Sequence, residues 1–313
     1  MFMSANMNRI MLRIALLQIA FLSVTACNDD QFDFSGLALG VQSEQTSTTL
    51  VDARRIEVPA LQAGDLFLTH SVPVEISNDS TANVMTYCVA YDTVRYHSRW
   101  VAFRFDGFTR QKVTGRSNEP FMDDPQLPAR YYIGSNGFGA GIDDSRSHDR
   151  GHLCASNDVL WAPEANQQTF YMTNMSPQLS RFNQDYWVAY ENKVQSWGRS
   201  ETFADTLYVV KGGTIRDDQV IDYVQRINGK TVPVPGYYFM ALLCLKSGGY
   251  SALGFWMEHK DYGMKNPGNS ELSAHVVTID QLEELTGIDF FHNLPDDVEK
   301  AVEATVNLQM WGL

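Results

Sequence analysis

The sequence contains four cysteines among 313 residues, and none of them lies close to another. Neither a CxxC motif nor a set of paired metal-ligand cysteines occurs, which argues against a zinc–thiolate site. Cys88, Cys154 and Cys244 would allow one disulfide and one free thiol in an oxidising compartment. Their spacing does not require a disulfide.

The sequence also lacks an excess of positive charge. Lys and Arg number 24 against 37 Asp and Glu, which gives a formal net charge of -13. A protein that holds nucleic acid over a broad surface is usually basic, so tight processive binding to DNA is not expected. An enzyme acting on a polyanion remains compatible, because a local arginine cluster and a divalent cation can outweigh the overall field at a cleft.

The apolar run near the N-terminus, "IALLQIAFLSV", is too short for a comfortable membrane span of about 20 residues. It follows Arg9 and Arg13 and precedes "VTAC", which ends at Cys27. This order is typical of an export signal. "VTAC" resembles a bacterial lipobox, which implies cleavage after Ala26 and lipidation of Cys27. An ordinary secretory signal with a chance cysteine is the alternative. Either reading places the mature protein outside the cytoplasm, and the lipobox adds a membrane anchor in the cell envelope or at the cell surface.

Composition divides the chain into three parts. Residues 1–26 form the signal peptide, and residues 27–57 are rich in Asp, Ser, Thr and Gln without a sustained apolar period. The second part is therefore predicted to be a flexible tether. Residues 58–313 contain enough apolar residues for one folded domain, and no internal repeat is apparent.

Several apolar runs predict strands around a central helix. In "RWVAFRFD", Val101, Phe103 and Phe105 alternate with Trp100 and residues of the opposite face. "TLYVVKGGTI", "GYYFMALLCLK" and "YSALGFWMEHK" are further candidate strands. The segment "SPQLSRFNQDYWVAYENKVQSW" has a helical period. Its apolar stripe comprises Trp187, Tyr190, Val194 and Trp197. This combination predicts a mixed α+β domain.

A polar residue heads this apolar stripe. Asn183 lies four residues before Trp187, and burial of its amide without a partner would cost a few kcal/mol. It is either a helix N-cap or a metal ligand. Glu191, eight residues later, lies on roughly the same side and would reach the same ion through a coordinated water. One direct ligand and one carboxylate that acts through water suit Mg²⁺, which keeps much of its hydration shell.

The stretch "SHDRGHLCASN" contains the candidate base. His152 can be neutral at physiological pH and accept a proton. His148, four residues earlier, is the competing candidate. Gly151 favours His152, because a glycine permits close approach of the backbone to a phosphate or metal.

The segments "DRGHLCAS", "FYMTNMSPQ" and "FNQDYWVAYE", in this order, resemble the DNA/RNA non-specific endonucleases, a ββα-metal group. The resemblance covers about residues 60–311. It implies that His152 is the general base, that Asn183 binds the metal directly and that Glu191 orients a metal-bound water. Asn174 would support the histidine or phosphate side, and Arg150 would contact phosphate or play a structural part.

The family also uses an arginine on an early strand, for which Arg95 and Arg99 are the candidates. Met240 stands where family members usually have lysine. The implied fold is α+β, with a central mixed or antiparallel sheet flanked by helices. The implied activity is Mg²⁺-dependent cleavage of DNA and RNA, with Mn²⁺ able to substitute. A surface-binding lipoprotein built on a decayed nuclease domain and a phosphodiesterase for small nucleotides are the alternatives.

Overall fold

The computed structural model describes residues 52–77 and 80–313. The predicted signal peptide of residues 1–26, the lipidation site Cys27 and most of the tether lie outside these residues, so export and lipid anchoring stay predictions. None of the helices in the described part of the chain is long and apolar enough to cross a membrane.

The last residues of the predicted tether belong to the folded domain. The Asn293 side-chain amide donates to the backbone carbonyls of Ala53 and Arg55. Glu57 is fully buried. The domain therefore begins several residues before the boundary that composition predicts, because a polar side chain far along the chain binds this backbone.

The described residues form twelve strands. They are β1 (Asp65–Ser77), β2 (Ser80–Asp92), β3 (His97–Phe105), β4 (Gly139–Ala140), β5 (Ser147–His152), β6 (Met175–Leu179), β7 (Thr206–Gly213), β8 (Val220–Gln225), β9 (Thr231–Pro235), β10 (Tyr237–Lys246), β11 (Gly249–Glu258) and β12 (Val276–Val277). The large sheet has the order β1-β2-β3-β7-β10-β11-β12, and two smaller sheets have the orders β4-β5-β6 and β8-β9. Neighbouring strands are antiparallel in all three.

Six α-helices flank the sheets in the same part of the chain. They are α1 (Pro163–Gln168), α2 (Val188–Arg199), α3 (Asn269–Ala274), α4 (Ile279–Thr286), α5 (Asp296–Glu303) and α6 (Leu308–Trp311). A π-helical turn, Phe182–Trp187, leads directly into α2. The fold is α+β with antiparallel sheets flanked by helices, as predicted.

Strand β3 shows why the large sheet is covered on both faces. Val101, Phe103 and Phe105 pack into one hydrophobic cluster, whereas Trp100 and Ala102 pack into a second. The alternation that the sequence predicts is confirmed. Because both alternating sets are apolar, each face of the sheet needs a covering layer.

Helix α2 covers one face and α4 the other. The predicted stripe of α2 is buried in the first cluster, and it consists of Trp187, Tyr190, Val194 and Trp197. Ile279 and Leu282 of α4 belong to the second cluster. Full burial of such side chains contributes roughly 1.5–3 kcal/mol each, so these contacts fix both helices on the sheet.

The three cysteines of the domain are free thiols. Cys88, Cys154 and Cys244 are all buried, and no two of them are bonded. Burial raises the pKa of each thiol. Since the thiolate is the reactive form, these cysteines contribute to packing and not to chemistry.

Candidate active site

Strand β5, the segment that follows it, the π-turn and α2 together border one cleft. The "DRGH" segment occupies the second half of β5, and His152 is its last residue. The cleft has a volume of about 380 Å³. Its lining consists of Arg116, Phe121, Arg150, His152, Ala155, Ser156, Asn157, Asn183, Gln184, Val188, Glu191, Asn192 and Gln195. The structure thus brings together four of the residues that the sequence predicts for the site.

The His152 ring packs against two phenylalanines. Its centroid lies 5.3 Å from Phe170, edge to face, and 5.8 Å from Phe121. Burial, together with the positive charges of Arg116, Lys211 and Arg150, lowers the pKa of His152 to about 3. The imidazole is therefore neutral at physiological pH and has a free lone pair.

His148 lies outside the cleft. It is 5 % exposed, its Nδ1 lies 3.3 Å from the Gly139 carbonyl oxygen, and its ring centroid is 6.4 Å from that of His259. Among the histidines of residues 52–77 and 80–313, His152 is the one that lines the cleft. The geometry favours His152 over the competing candidate.

Gly151 is required by the neighbouring strand. A Cβ at this position would lie 2.0 Å from the Gln178 side-chain oxygen and 2.3 Å from its carbonyl carbon. Gln178 lies on β6, and its side chain is fully buried. The glycine makes room for Gln178 and not, as its position in the motif predicts, for a phosphate or metal.

Asn183 lies within the π-turn, so it is not a helix N-cap. Its Nδ2 donates to Asp149 Oδ2 at 2.9 Å, and Gln184 and Ser180 donate to the same carboxylate. Although partial burial favours the neutral acid, these hydrogen bonds lower the pKa of Asp149. With Nδ2 held by Asp149, Asn183 Oδ1 is the amide atom that remains available as a ligand.

The π-turn also changes which residues share a face. In a regular α-helix the eight residues from Asn183 to Glu191 would leave their side chains about 80° apart. One extra residue in the turn makes the separation equivalent to seven α-helical steps, or about 20°. Asn183 and Glu191 therefore both line the cleft, while Trp187 is fully buried in the core.

Glu191 is 9 % exposed, and its carboxylate lies near the Trp187 indole and the Lys211 ammonium. Burial raises the pKa of its carboxyl, while the Lys211 ammonium acts in the opposite direction. A cation bound in the cleft would favour the ionised form. Its oxygens are thus available to a metal ion or to a metal-bound water.

A buried lysine lies beneath this carboxylate. Lys211, on β7, is fully buried, and its Nζ donates to Asp158 Oδ2 at 2.6 Å. Although burial disfavours the ammonium, Asp158 and Glu191 raise the pKa of Lys211 above its ordinary value. Gln195 of α2 donates to the other oxygen of Asp158 at 2.9 Å. The network links β7, α2 and the segment after His152.

Sequence reasoning missed Lys211, although a single lysine in the apolar run "YVVKGG" was a signal. Lys211 also bears on Met240, which stands where family members usually have lysine. Met240 of β10 pairs directly with Lys211 in the sheet. The positive charge is therefore present on the neighbouring strand.

Two arginines give the cleft its positive charge. The guanidinium of Arg150 lies 3.8 Å from the ring centroid of Phe121, and that of Arg116 lies 4.8 Å from that of Phe170. Neither forms a salt bridge with a carboxylate of the described residues. The loop of Arg116 is held in place because Asn166, fully buried, accepts from the Ser117 amide at 2.7 Å. Arg116 has no motif around it and was missed by sequence reasoning.

A family model for DNA/RNA non-specific endonucleases matches residues 67–297. The chain belongs to this family. A nuclease of a Nostoc species is 27% identical over 247 residues, which are 76% of this chain and 82% of that protein. Mitochondrial endonuclease G of Bos taurus is 28% identical over 218 residues, which are 67% of this chain and 68% of that protein.

The fold agrees with this assignment. The solved complex of endonuclease G with its inhibitor EndoGI matches with a TM-score of 0.53 at 20% identity, covering 74% of this chain and 89% of that one. The fold is that of a ββα-metal nuclease. The protein is therefore an enzyme that hydrolyses phosphodiester bonds of nucleic acid, in a family of metal-dependent nucleases.

The arginines predicted to bind phosphate lie elsewhere in this endonuclease. Arg99 donates to Asp65 at 2.6 Å and to Asp92 at 2.7 Å, and Arg95 donates to Asp217 at 2.8 Å. Neither lines the cleft. Because aspartates already neutralise both guanidinium groups, Arg116 and Arg150 replace them as the phosphate-binding candidates.

Asn174 supports the backbone behind the histidine. Its Nδ2 donates to the carbonyls of Cys154 and Thr169, and its Oδ1 accepts from the Cys154 amide at 2.8 Å. The residue is fully buried and does not line the cleft. Its amide is fully used by these contacts, which hold the segment after His152 in place.

The donor atoms in the cleft fit a hard divalent cation. Asn183 Oδ1 and the Glu191 carboxylate are oxygens, which Mg²⁺ prefers, and no cysteine lines the cleft. So few protein donors leave several coordination positions to water, in keeping with the reluctance of Mg²⁺ to lose its hydration shell.

Proposed function

We propose that the enzyme is a Mg²⁺-dependent, sugar-non-specific endonuclease that cuts DNA and RNA with His152 as general base and one metal ion held by Asn183. The observation that carries this proposal is the shared cleft. It combines a neutral histidine, two free oxygen ligands and two arginines without carboxylate partners.

The base step falls to His152. Its Nε2 is buried and has no hydrogen-bond partner among the described residues, which leaves Nδ1 as the ring nitrogen to face the cleft. Nδ1 therefore accepts the proton from the attacking water. A phosphodiester bound between Arg116 and Arg150 offsets the positive charges that help to lower the pKa of His152, so the base becomes stronger when substrate is present.

Asn183 and Glu191 would hold the metal, with Glu191 acting through a water. When bound, Mg²⁺ supplies positive charge to the phosphate oxygens and to the leaving oxygen. Asp149 keeps the Asn183 amide in one orientation through its hydrogen bond with Nδ2. Asp149 is thus a positioning residue for the ligand.

Recognition in the cleft depends on the phosphate. Arg116 and Arg150 are suited to bind phosphate oxygens through charge-assisted hydrogen bonds. Contacts with phosphate carry no information about base sequence. This supports cleavage of both DNA and RNA.

The test compares four single variants of folded protein. We expect His152→Ala to lower turnover in plasmid nicking by about 10²- to 10⁴-fold with Mg²⁺ affinity nearly unchanged. Asn183→Ala should weaken Mg²⁺ binding and be partly restored by high Mg²⁺ or Mn²⁺. Glu191→Ala should lower activity by about 10- to 100-fold.

His148→Ala is the matched control and should remain active. Loss of nicking in His148→Ala with activity retained in His152→Ala would refute the assignment of the base. Robust nicking in excess EDTA would remove the metal from the mechanism. A mononucleotide ester should be a poor substrate beside plasmid DNA and RNA, and the opposite preference would favour a phosphodiesterase for small nucleotides.

A further inference from the structure

A second group of carboxylates lies between α4 and α5, on the opposite face of the large sheet from α2. One oxygen each of Asp280, Glu283 and Glu303 lies within 4.8 Å of the other two. Asp280 is exposed, Glu283 is half-buried and Glu303 is 5 % exposed. The three side chains converge on one point, with the buried glutamate at its inner end.

Glu303 distinguishes this group from an ordinary acidic surface. Its Oε1 is completely buried, and no hydrogen-bond donor of the described residues contacts it. No salt bridge between residues of the same part of the chain involves Asp280, Glu283 or Glu303. An unpaired buried carboxylate is costly, so it must either be neutralised or acquire a partner.

Burial and neighbouring negative charges make an ionised Glu303 still less favourable without a partner. Burial, followed by the negative charges of Glu283, Glu299, Asp280 and Asp289, raises the pKa of Glu303 to about 8. Burial also raises the pKa of Glu283 to about 7, although its carboxylate accepts from the Phe290 amide. The cluster thus attracts positive charge, and a proton and a metal cation would compete for it.

We propose that Asp280, Glu283 and Glu303 bind a divalent cation of the Ca²⁺ type that joins α4 to α5. Ca²⁺ binds carboxylate oxygens at about 2.3–2.6 Å, so one ion between the three side chains can contact all of them at the observed separations. Water completes the coordination on the side of the exposed Asp280. The site is independent of the cleft and of the nuclease reaction.

The bound ion would stabilise the α4–α5 pair against the sheet. Val298 and Val302 of α5 are only partly buried against the second cluster, so apolar contacts hold this helix weakly. A ligand that binds only the native state raises stability by mass action.

The test measures Ca²⁺ binding by calorimetry in an Asn183→Ala background, which weakens metal binding in the cleft. We expect about one Ca²⁺ per chain in this background. Adding Glu303→Gln should weaken the binding by at least about 10-fold. Adding Glu284→Gln, the same charge change at an exposed neighbour on α4, should leave the affinity unchanged.

Thermal unfolding in chelator supplies the folding control. Glu303→Gln should be at least as stable as its parent there, because the amide is neutral without having to hold a proton, and Ca²⁺ should raise the Tm of the parent more than that of the variant. Absence of Ca²⁺ binding in Asn183→Ala, or equal binding with and without Glu303, overturns the proposal.

Discussion

The cleft and the α4–α5 cluster both bury carboxylates, but they are neutralised in different ways. In the cleft, Lys211 lies within the fold and contacts Asp158 at 2.6 Å. In the cluster, Glu303 has no cationic side chain as a partner in the part of the chain that the structure describes. The counter-charge of Asp158 is therefore built into the fold. The cluster depends on what the solution supplies, which is a proton or an ion.

The largest expected effect comes from removing the Lys211 ammonium. Without it, the carboxylates near the cleft lack a cationic side chain, as those of the α4–α5 cluster do. Lys211→Met leaves Asp158 and Glu191 as buried carboxylates without a counter-charge, and it should lower the free energy of unfolding by about 3–5 kcal/mol. Nuclease activity should fall as well, because the segment after His152 loses its anchor. Denaturant titration and plasmid nicking measure the two effects.

Two further variants test the reason for this loss. Lys211→Met/Asp158→Asn should recover much of the stability, because it also removes the unpaired charge. Lys246→Met, which breaks the surface pair with Asp205, should change stability by no more than about 1 kcal/mol. Equal losses in Lys211→Met and Lys246→Met would show that the buried lysine is not needed for charge balance.

The next effect concerns Asp149, a carboxylate beside the cleft that accepts hydrogen bonds from Ser180, Asn183 and Gln184. Asp149→Asn introduces donors opposite the Asn183 and Gln184 amides, so the Asn183 ligand should lose its fixed orientation. Mg²⁺ affinity should fall by about 10- to 100-fold, as measured by calorimetry. Asp144→Asn, the same change at a surface pair with Arg146, should have no effect on affinity. An unchanged affinity in Asp149→Asn would separate this carboxylate from the metal site.

A smaller effect is expected from removing Arg116, one of the two arginines that line the cleft. Arg116 lacks an acidic partner among the described residues, whereas Arg95 is paired with Asp92 and Asp217. We expect Arg116→Ala to raise the KM for DNA by about 10-fold, near the low end for a charge-assisted hydrogen bond. Arg95→Ala should leave the KM nearly unchanged. The reverse order would restore Arg95 as the phosphate ligand.

The smallest effect is the pH dependence of the cluster in chelator. The native state retains a proton on Glu303 up to about pH 8, whereas the unfolded chain releases it near the ordinary value of 4.5. The stability of the native state therefore decreases as the pH rises through this range. Between about pH 7 and 9 the loss should be about 1 kcal/mol, a shift of a few degrees in Tm. Glu303→Gln should flatten this slope, and an unchanged slope would place the titration elsewhere.

Sequence patterns predicted the fold because they are local, and the motif residues that they single out lie together in the cleft. The alternation in β3 and the stripe of α2 express which faces are buried. His152, Asn183 and Glu191 lie in short segments that form adjacent elements. These features need no knowledge of distant contacts.

The errors come from contacts between distant parts of the chain. Arg99 meets Asp65, which lies 34 positions away, and Arg95 meets Asp217, which lies 122 positions away. Asp92 contacts both arginines from within the same segment, but spacing along the chain cannot show the partners at Asp65 and Asp217. Arg116 and Lys211 are single residues that gain importance only when the loop and the sheet bring them to the cleft.

The π-turn sets a condition for transferring this metal site to another protein. A designer who copied the sequence spacing of Asn183 and Glu191 onto an ideal α-helix would place the two side chains about 80° apart, and they would no longer face one ion. Such a scaffold needs a spacing of seven residues, or a helix that contains the same irregular turn. Grafting must therefore preserve the backbone of residues 182–187 together with the two side chains.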